Sequence, residues 1–333
     1  MRFLITGGAG FIGSHLSDLL VEHDHMVHVL DDLSTGAIGN IRHLKSHPGF
    51  EYTIGSAENH ALVAELVDEA DYVIHLAAAV GVSLVVESPV RTIETNVHGT
   101  EVVLKHASKK KKPVLIASTS EVYGKSQALP FREDGDMQMG ATDMGRWAYA
   151  CSKAIDEFLA MAYWRERALP TTVVRLFNTV GPRQTGSYGM VVPRLVSQAL
   201  ADEPLTVYGD GRQTRCFCHV ADVVEALFRL TTEERAYGNV FNVGATTEIS
   251  IIDLAQMIID VTHSGSQISL IPYDEAYGEG FEDMYRRVPD TTKVRELIDW
   301  RPARTLEDVV RDVVACQRGT PLPAPAAISE RTI

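Results

Sequence analysis

An α/β fold, with a doubly wound parallel sheet and helices on both faces, is predicted by two alternating periodicities in the first 180 residues. Short apolar runs rich in Val, Ile and Leu at 2–6, 26–31, 50–54, 72–76, 113–118 and 171–176 read as buried strands. Between them, 13–23, 60–68, 94–108 and 148–167 carry apolar residues at helical spacing. Strands that alternate with helices imply parallel pairing through crossover connections. Beyond residue 180 the alternation weakens, and Gly and Pro become frequent at 181–212 and 271–289. That change predicts a smaller, mixed α/β C-terminal lobe. "VADVVEALFRL" (220–230) and "NVFNVG" (239–244) predict a helix and a strand that return to the large sheet. The expected division is 1–176 with 213–245 as one domain and 177–212 with 246–318 as the other. The Pro/Ala-rich tail, 319–333, is expected to be frayed.

Bulk properties exclude several function classes. A chain of 333 residues suits one large domain or two intimate ones. Its net charge of −13 argues against a nucleic-acid groove and requires a local arginine cluster for any anionic substrate. No apolar run approaches the roughly 20 residues that span a bilayer, so no membrane partner is expected. The opening "MRFLITGG" is a short apolar run that ends in glycines, which reads as a strand and not as a signal peptide. Cys151, Cys216, Cys218 and Cys316 lack zinc spacing, so no metal is expected. Scattered thiols fit a reducing, cytoplasmic setting. The run Lys109 to Lys112 reads as a solvated helix end that complements the dipole.

Chemistry first enters at "FLITGGAGFIGSHL" (3–16). Gly7, Gly10 and Gly13 follow a strand and open a helix, which is the context a Rossmann-type dinucleotide site needs. Gly7 allows the tight turn, Gly10 the close approach of a pyrophosphate, and Gly13 helix–sheet packing. The helix N-terminus then faces the phosphates with free N–H groups. Asp31, at the end of the second strand, stands 18 residues beyond Gly13. An acid there accepts ribose hydroxyls and repels a 2′-phosphate, so NAD is expected over NADP.

A second constellation is "RWAYACSKAIDEFLA" (146–160), with Tyr149 and Lys153 at i, i+4 on one helix face. A phenol with its ordinary pKa of about 10 is a poor base at neutral pH. The Lys153 ammonium and a cationic nicotinamide are expected to lower it. "STSEVYG" (118–124) ends a predicted strand and sets Thr119, Ser120 and the carboxylate of Glu121 at its tip.

Together these residues resemble the extended short-chain dehydrogenase/reductase family of NAD-dependent epimerases and dehydratases. The resemblance covers nearly the whole chain, through "TGGAGFIG" (6–13), "HLAA" (75–78), "TNVHGT" (95–100), "STSEVYG", the Tyr149/Lys153 pair, "RLFNTVGPRQ" (175–184) and "VYGDGRQTRCF" (207–217). It implies a nucleotide-sugar substrate and a tightly held NAD. It also implies that Gly7, Gly10, Phe11, Ile12, Gly13, Asp31, Asp32, Leu76, Ala77, Ala78, Asn96, Tyr149 and Lys153 bind that cofactor. Tyr149 is then the base, Lys153 its positioner, and Thr119 the partner of the sugar 4-hydroxyl. One departure is Ser56 in "GSAEN" (55–59), where many members carry an aspartate against adenine.

Family membership leaves the reaction open. In relatives that dehydrate across C5 and C6, an Asp-Glu pair commonly occupies this turn, and Ser120 breaks the pair. A 4-epimerase needs no acid–base group at C5. UDP-glucuronate decarboxylases are the subgroup most similar, on "STSEVYG", "RWAYACSK" and "YGEGFEDMYRRVPDTTKVRELIDW" (277–300). By that likeness Ser120, Glu121 and Arg287 stand at the C5/C6 end of the sugar, with Arg146 as a partner for the uronate. The expected activity is decarboxylation of UDP-glucuronate to UDP-xylose through a 4-ketosugar. The alternatives are a UDP-glucose or UDP-glucuronate 4-epimerase, then a 4,6-dehydratase or an oxidative decarboxylase that releases the ketopentose and NADH, and a non-enzymatic NAD-binding redox sensor.

Asn178, Tyr208, Arg212, Arg215 and Arg287 are the candidates for the diphosphate and base, since a guanidinium grips phosphate oxygens as a fork. Arg183 reads instead as a structural ion-pair partner. Glu121 has a second reading as a first-turn acid that satisfies a helix dipole. Tyr208 could equally be a core residue and Arg146 a surface arginine. Wide apolar faces on 94–108 and 148–167, with the family's habit of pairing these helices, imply a homodimer through a four-helix bundle.

Overall fold

A computed structural model describes residues 1–79, 88–186, 190–277 and 284–320. The tail from 321 onward, and 278–283 of the segment quoted above, lie outside the described residues. The first strands are β1 (Arg2–Thr6), β2 (Met26–Asp31), β3 (Phe50–Ile54), β4 (Tyr72–His75), β5 (Val114–Thr119) and β6 (Thr171–Leu176). Between them run α1 (Phe11–Glu22), α2 (His60–Glu69), α3 (Pro89–Lys110) and α4 (Trp147–Arg167). α3 begins earlier than its apolar pattern, because Pro89 supplies a preorganised first-turn residue with no N–H to satisfy.

The next elements are β7 (Thr179–Val180), α5 (Val191–Leu200), β8 (Leu205–Tyr208), β9 (Thr214–Cys216), β10 (Cys218–His219) and α6 (Val220–Thr231). β11 (Asn239–Val243), β12 (Glu248–Ser250), α7 (Ile251–Thr262), β13 (Ile268–Ile271), α8 (Tyr273–Tyr277), α9 (Thr292–Ile298) and α10 (Leu306–Gln317) complete the described chain. The large sheet runs β11-β6-β5-β4-β1-β2-β3. Each of its pairings is parallel. The order reverses between β1 and β4, which opens a crevice at the carboxyl edge.

Alternation along β1 explains the two layers. Phe3 and Ile5 join Leu16, Leu20, Val223 and Leu227 on the face covered by α1 and α6. Leu4 joins Val63, Val102 and Ala160 on the face covered by α2, α3 and α4. Successive side chains leave a strand on opposite faces, so one apolar run serves two cores. A separate apolar cluster joins α5, α7 and α10 through Val192, Leu195, Leu254, Ile258, Val310 and Val313. Small two-stranded sheets, β10–β7, β12–β9 and β13–β8, accompany it.

His219 starts α6. Its Nδ1 accepts the Ala221 N–H at 3.0 Å, and its Nε2 lies 3.1 Å from Asp312. The first contact requires an unprotonated Nδ1, and burial pushes the imidazole down to about 4, with Arg304 adding to the effect. The unfolded chain therefore binds this proton from about pH 6.5 downward, while the folded chain resists it until about pH 4. Stability is expected to be full above pH 6.5 and to fall by up to ~3 kcal/mol on the way to pH 4. Urea midpoints across that range check it: His219→Asn, which keeps a capping acceptor without the titration, should flatten the slope.

Candidate active site

The crevice is a cleft of about 600 Å³ that runs from the glycine turn to the tips of β5 and β6. Gly7 has φ +73°, and a Cβ on it would come 2.7 Å from Ala77 N. A Cβ on Gly13 would fall 2.4 Å from the Gly7 carbonyl oxygen. On Gly10 the nearest atom would be Gly7 O at 3.1 Å. The three glycines therefore shape a backbone cradle closed on the protein side. Asp31 ends β2 and is ordered by the Ala9 N–H at 2.9 Å and the Leu33 N–H at 2.8 Å. Burial still raises its carboxyl above the usual range. The exposed Asp32 accepts the Ser34 N–H. Ser56, Ala57 and Glu58 line the same end, and Ser56 Oγ donates to Glu58 at 3.2 Å.

Gly7, Gly10, Phe11, Ile12, Gly13, Asp31, Asp32, Leu76, Ala77, Ala78, Thr119, Ser120, Glu121, Tyr149, Lys153, Asn178 and Arg287 all line this cleft. Residues far apart in sequence are thus brought to one surface. Asn96, Arg146, Tyr208, Arg212 and Arg215 are not part of its lining. Asn96 is a brace: its amide accepts the Ala79 N–H at 2.7 Å and donates to Ser152 Oγ at 3.0 Å. It thereby ties the loop after β4 to α4 beside Lys153. Arg212 is exposed, with its backbone N–H on Asp210. The Tyr208 ring lies under the Arg194 guanidinium at 4.3 Å. Arg215 is buried and donates to the carbonyls of Thr214 and Tyr285. Asn178 donates to the Cys216 carbonyl, next to Arg215. The ion pair expected of Arg183 is present, with Asp18 at 2.7 Å.

Glu121 sits in a short 3₁₀ turn after β5, between two arginines. Arg287 Nη1 is 3.4 Å from one carboxylate oxygen and Arg146 Nη2 is 4.0 Å from the other. Both guanidinium side chains are under 10% exposed. Thr119 accepts the Glu121 N–H through its hydroxyl and also hydrogen-bonds the Tyr149 phenol.

Tyr149 departs from the expectation of a lowered pKa. Burial pushes the phenol well above its ordinary range, and the negative charges of Glu121 and Asp156 push it further; only the Thr119 hydrogen bond opposes them. Lys153 does not offset this, because its ammonium donates to Asp156 at 2.7 Å inside the protein. A cation paired with a buried anion offers little net field to a third group. His75, also on the cleft wall, contacts Thr6 at 2.7 Å and Thr100 at 3.1 Å. Burial lowers its imidazole to about 3, so it is neutral.

Beneath the cleft, Glu157 receives a two-pronged bond from Arg175 on β6, at 3.0 and 2.8 Å, and a hydrogen bond from Ser118 on β5. Asp156 and Glu157 escaped the sequence reading. Their signal is two adjacent acids three and four residues past Lys153, on the turn of the helix that continues the face of Ser152 and Lys153.

A glycine cradle at a topological switch point, with Thr119 at the tip of β5 facing Tyr149 and Lys153 on α4, defines a short-chain dehydrogenase/reductase of the extended kind. The chain belongs to the family described as GDP-mannose 4,6 dehydratase, whose profile matches residues 4–313. It is 42% identical over 315 residues to the UDP-N-acetyl-alpha-D-glucosaminuronate decarboxylase of Bacillus cytotoxicus, covering 94% of this chain and 96% of that protein. It is 37% identical over 307 residues to UDP-glucuronic acid decarboxylase 1 of Xenopus tropicalis, covering 92% and 70%. Among solved structures, DesIV, a dTDP-glucose 4,6-dehydratase from Streptomyces venezuelae with NAD bound, superposes with a TM-score of 0.87 at 26% identity, covering 96% and 97%. The UDP-glucose 4-epimerase of Thermus thermophilus in complex with NAD gives 0.83 at 27%, covering 96% and 99%.

Removing one member of the buried Glu157–Arg175 pair strands a charge under the site. Glu157→Ala is expected to cost about 3–5 kcal/mol, read from urea unfolding.

Proposed function

We propose that the chain is an NAD-dependent decarboxylase that converts UDP-glucuronate to UDP-xylose through a 4-keto intermediate. The observation that carries this reading is Glu121 held between Arg287 and Arg146 beside Tyr149. A cationic pair at that point suits a sugar whose C6 is a carboxylate, and the decarboxylase relatives named above support it. The glycine cradle and Asp31 fit NAD, which when bound accepts a hydride from C4 and later returns it.

The chain's own residues then act in order. Thr119 orients the sugar 4-hydroxyl, the phenolate form of Tyr149 takes its proton, and Lys153 holds the phenol's surroundings in place. The new C4 ketone lies β to the uronate carboxylate. The C5–C6 bond breaks, carbon dioxide leaves, and its electron pair flows into the C4 carbonyl. Arg287 and Arg146 hold the carboxylate until that point. Glu121 orders the water or proton that reaches C5, because direct contact between two bare carboxylates is repulsive. Tyr149 gives its proton back as the ketone is reduced. Ser120 packs at the same end. Asn178, with Arg215 and Tyr208 beyond the Cys216 contact and Arg212 at the rim, marks the course of the UDP moiety.

In this reading 1–176 with 213–245 hold NAD, and 177–212 with 246–318 hold the nucleotide sugar. The separate apolar cluster of α5, α7 and α10 supports the division. A homodimer through α3 and α4 is part of the same proposal, since Val90, Ile93, Ile155 and Phe158 are exposed along these helices. Among the described residues no helix is long and apolar enough to cross a membrane. Four unbridged cysteines suit a reducing, cytoplasmic setting. The likeness to the Thermus enzyme favours one alternative, a UDP-glucose or UDP-glucuronate 4-epimerase.

Product mass separates the readings. Protein incubated with NAD and UDP-glucuronate is expected to release carbon dioxide and form a UDP-pentose; unchanged mass with a new retention time would establish the epimerase. A parallel reaction with the N-acetylated uronate tests the C2 substituent that distinguishes the two decarboxylase relatives' substrates. A redox sensor would bind NAD and turn over neither sugar. Glu121→Gln should slow decarboxylation while NADH still appears at 340 nm. Light scattering should give a dimer that Phe158→Glu dissociates.

A further inference from the structure

Lys153 ends on a carboxylate that the C4 chemistry does not itself require. Asp156 lies one turn further along α4, is fully buried, and accepts the Lys153 ammonium at 2.7 Å. Burying a charge is costly unless a partner and hydrogen bonds compensate it. Thr100 on α3 faces the same carboxylate, and its hydroxyl also meets His75 Nε2 on β4. His75 in turn meets Thr6 on β1. Polar groups thus line up from the first strand to the helix that carries Tyr149.

We propose that Asp156 is a positioning residue for oxidation at C4: it tethers Lys153 below Tyr149 and fixes a negative charge behind the phenol. The inference rests on the Tyr149-driven step proposed above, which decarboxylase and epimerase share. Every charged group that faces Tyr149 or Asp156 enters the balance. Glu121 bears on the phenol from the turn after β5, Lys153 and Asp156 from α4, and Glu157 bears on Asp156 from the same helix. His75 stays neutral. Asp156 is the anion of this set that sits against the lysine, so removing its charge lets the ammonium act on the phenol undiluted. The carboxylate thereby holds the catalytic phenol in its protonated form to higher pH than the Tyr–Lys pair alone would.

Two substitutions separate tether from charge. Asp156→Asn keeps an oxygen to accept from Lys153 and removes the charge. Asp156→Leu removes both. The rate of NADH formation in a single turnover is followed against pH with saturating UDP-sugar. Alongside it, the ¹³Cζ-tyrosine resonance of Tyr149, assigned with Tyr149→Phe, is titrated in the NAD-loaded protein. Asp156→Asn is expected to move both the acid limb and the resonance midpoint down by about one unit, with the plateau rate within a few-fold of the parent. Asp156→Leu is expected to lose about 10- to 100-fold of the plateau as well. An acid limb and midpoint left in place, or moved upward, by Asp156→Asn overturns the proposal. If Asp156→Leu does not fold, as judged by circular dichroism, the Asn variant decides alone. A resonance that shifts while no sugar is oxidised would sink the functional reading, and with it the role in C4 oxidation, while the charge coupling between Asp156 and Tyr149 would stand.

Discussion

The closeness with which backbone meets backbone at the glycine turn sets the position of everything else. With Gly13 lying against Gly7 and Gly8, the N-terminus of α1 can drop onto the sheet edge where β1 and β4 part. A methyl group at Gly13 would sit inside van der Waals contact with a carbonyl oxygen, so the helix would have to rise. The cleft exists because that helix does not. Its far wall is made by the tips of β5 and β6.

Charge is handled locally in a chain that is strongly acidic overall. The cations of the site are set against specific anions: Arg287 and Arg146 against Glu121, Lys153 against Asp156, Arg175 against Glu157. Pairs of this kind hold geometry well, and they also cancel much of the field that each partner would project. The phenol of Tyr149 is high for that reason as well as for its burial. The same arrangement sets two largely buried guanidinium groups against one carboxylate, which leaves a single local excess of positive charge.

Much of the fold was legible because strands buried on both faces spell themselves out as apolar runs, and all six early runs became strands. The returning strand, 239–244, was legible for the same reason. Glycine spacing identified the cradle, since each glycine is needed for a steric reason that sequence context exposes. Side chains that work through a neighbour were harder. Asn96 belongs to a recognisable motif, yet its amide serves the loop and Ser152 and not the cleft surface. Tyr208, Arg212 and Arg215 carry the right chemistry, but they are not among the residues that line the main cavity. Linear spacing fixes which face of one element a residue occupies. It does not fix which other element arrives opposite, and for that reason the approach of Thr100 and His75 to the Lys153–Asp156 pair could not be read from its i, i+3 spacing.

The place of β11 in the large sheet has a consequence for how the chain assembles. β6 ends at Leu176, and the strand that covers its open side begins only at Asn239, after β7 to β10 and α6 have been made. A nascent chain therefore presents a row of unsatisfied amides and carbonyls along β6 throughout that interval. Such a margin invites pairing with another chain until its own partner emerges. Emergence of the returning strand at 239–243, and not completion of the first six strands, is what closes the sheet.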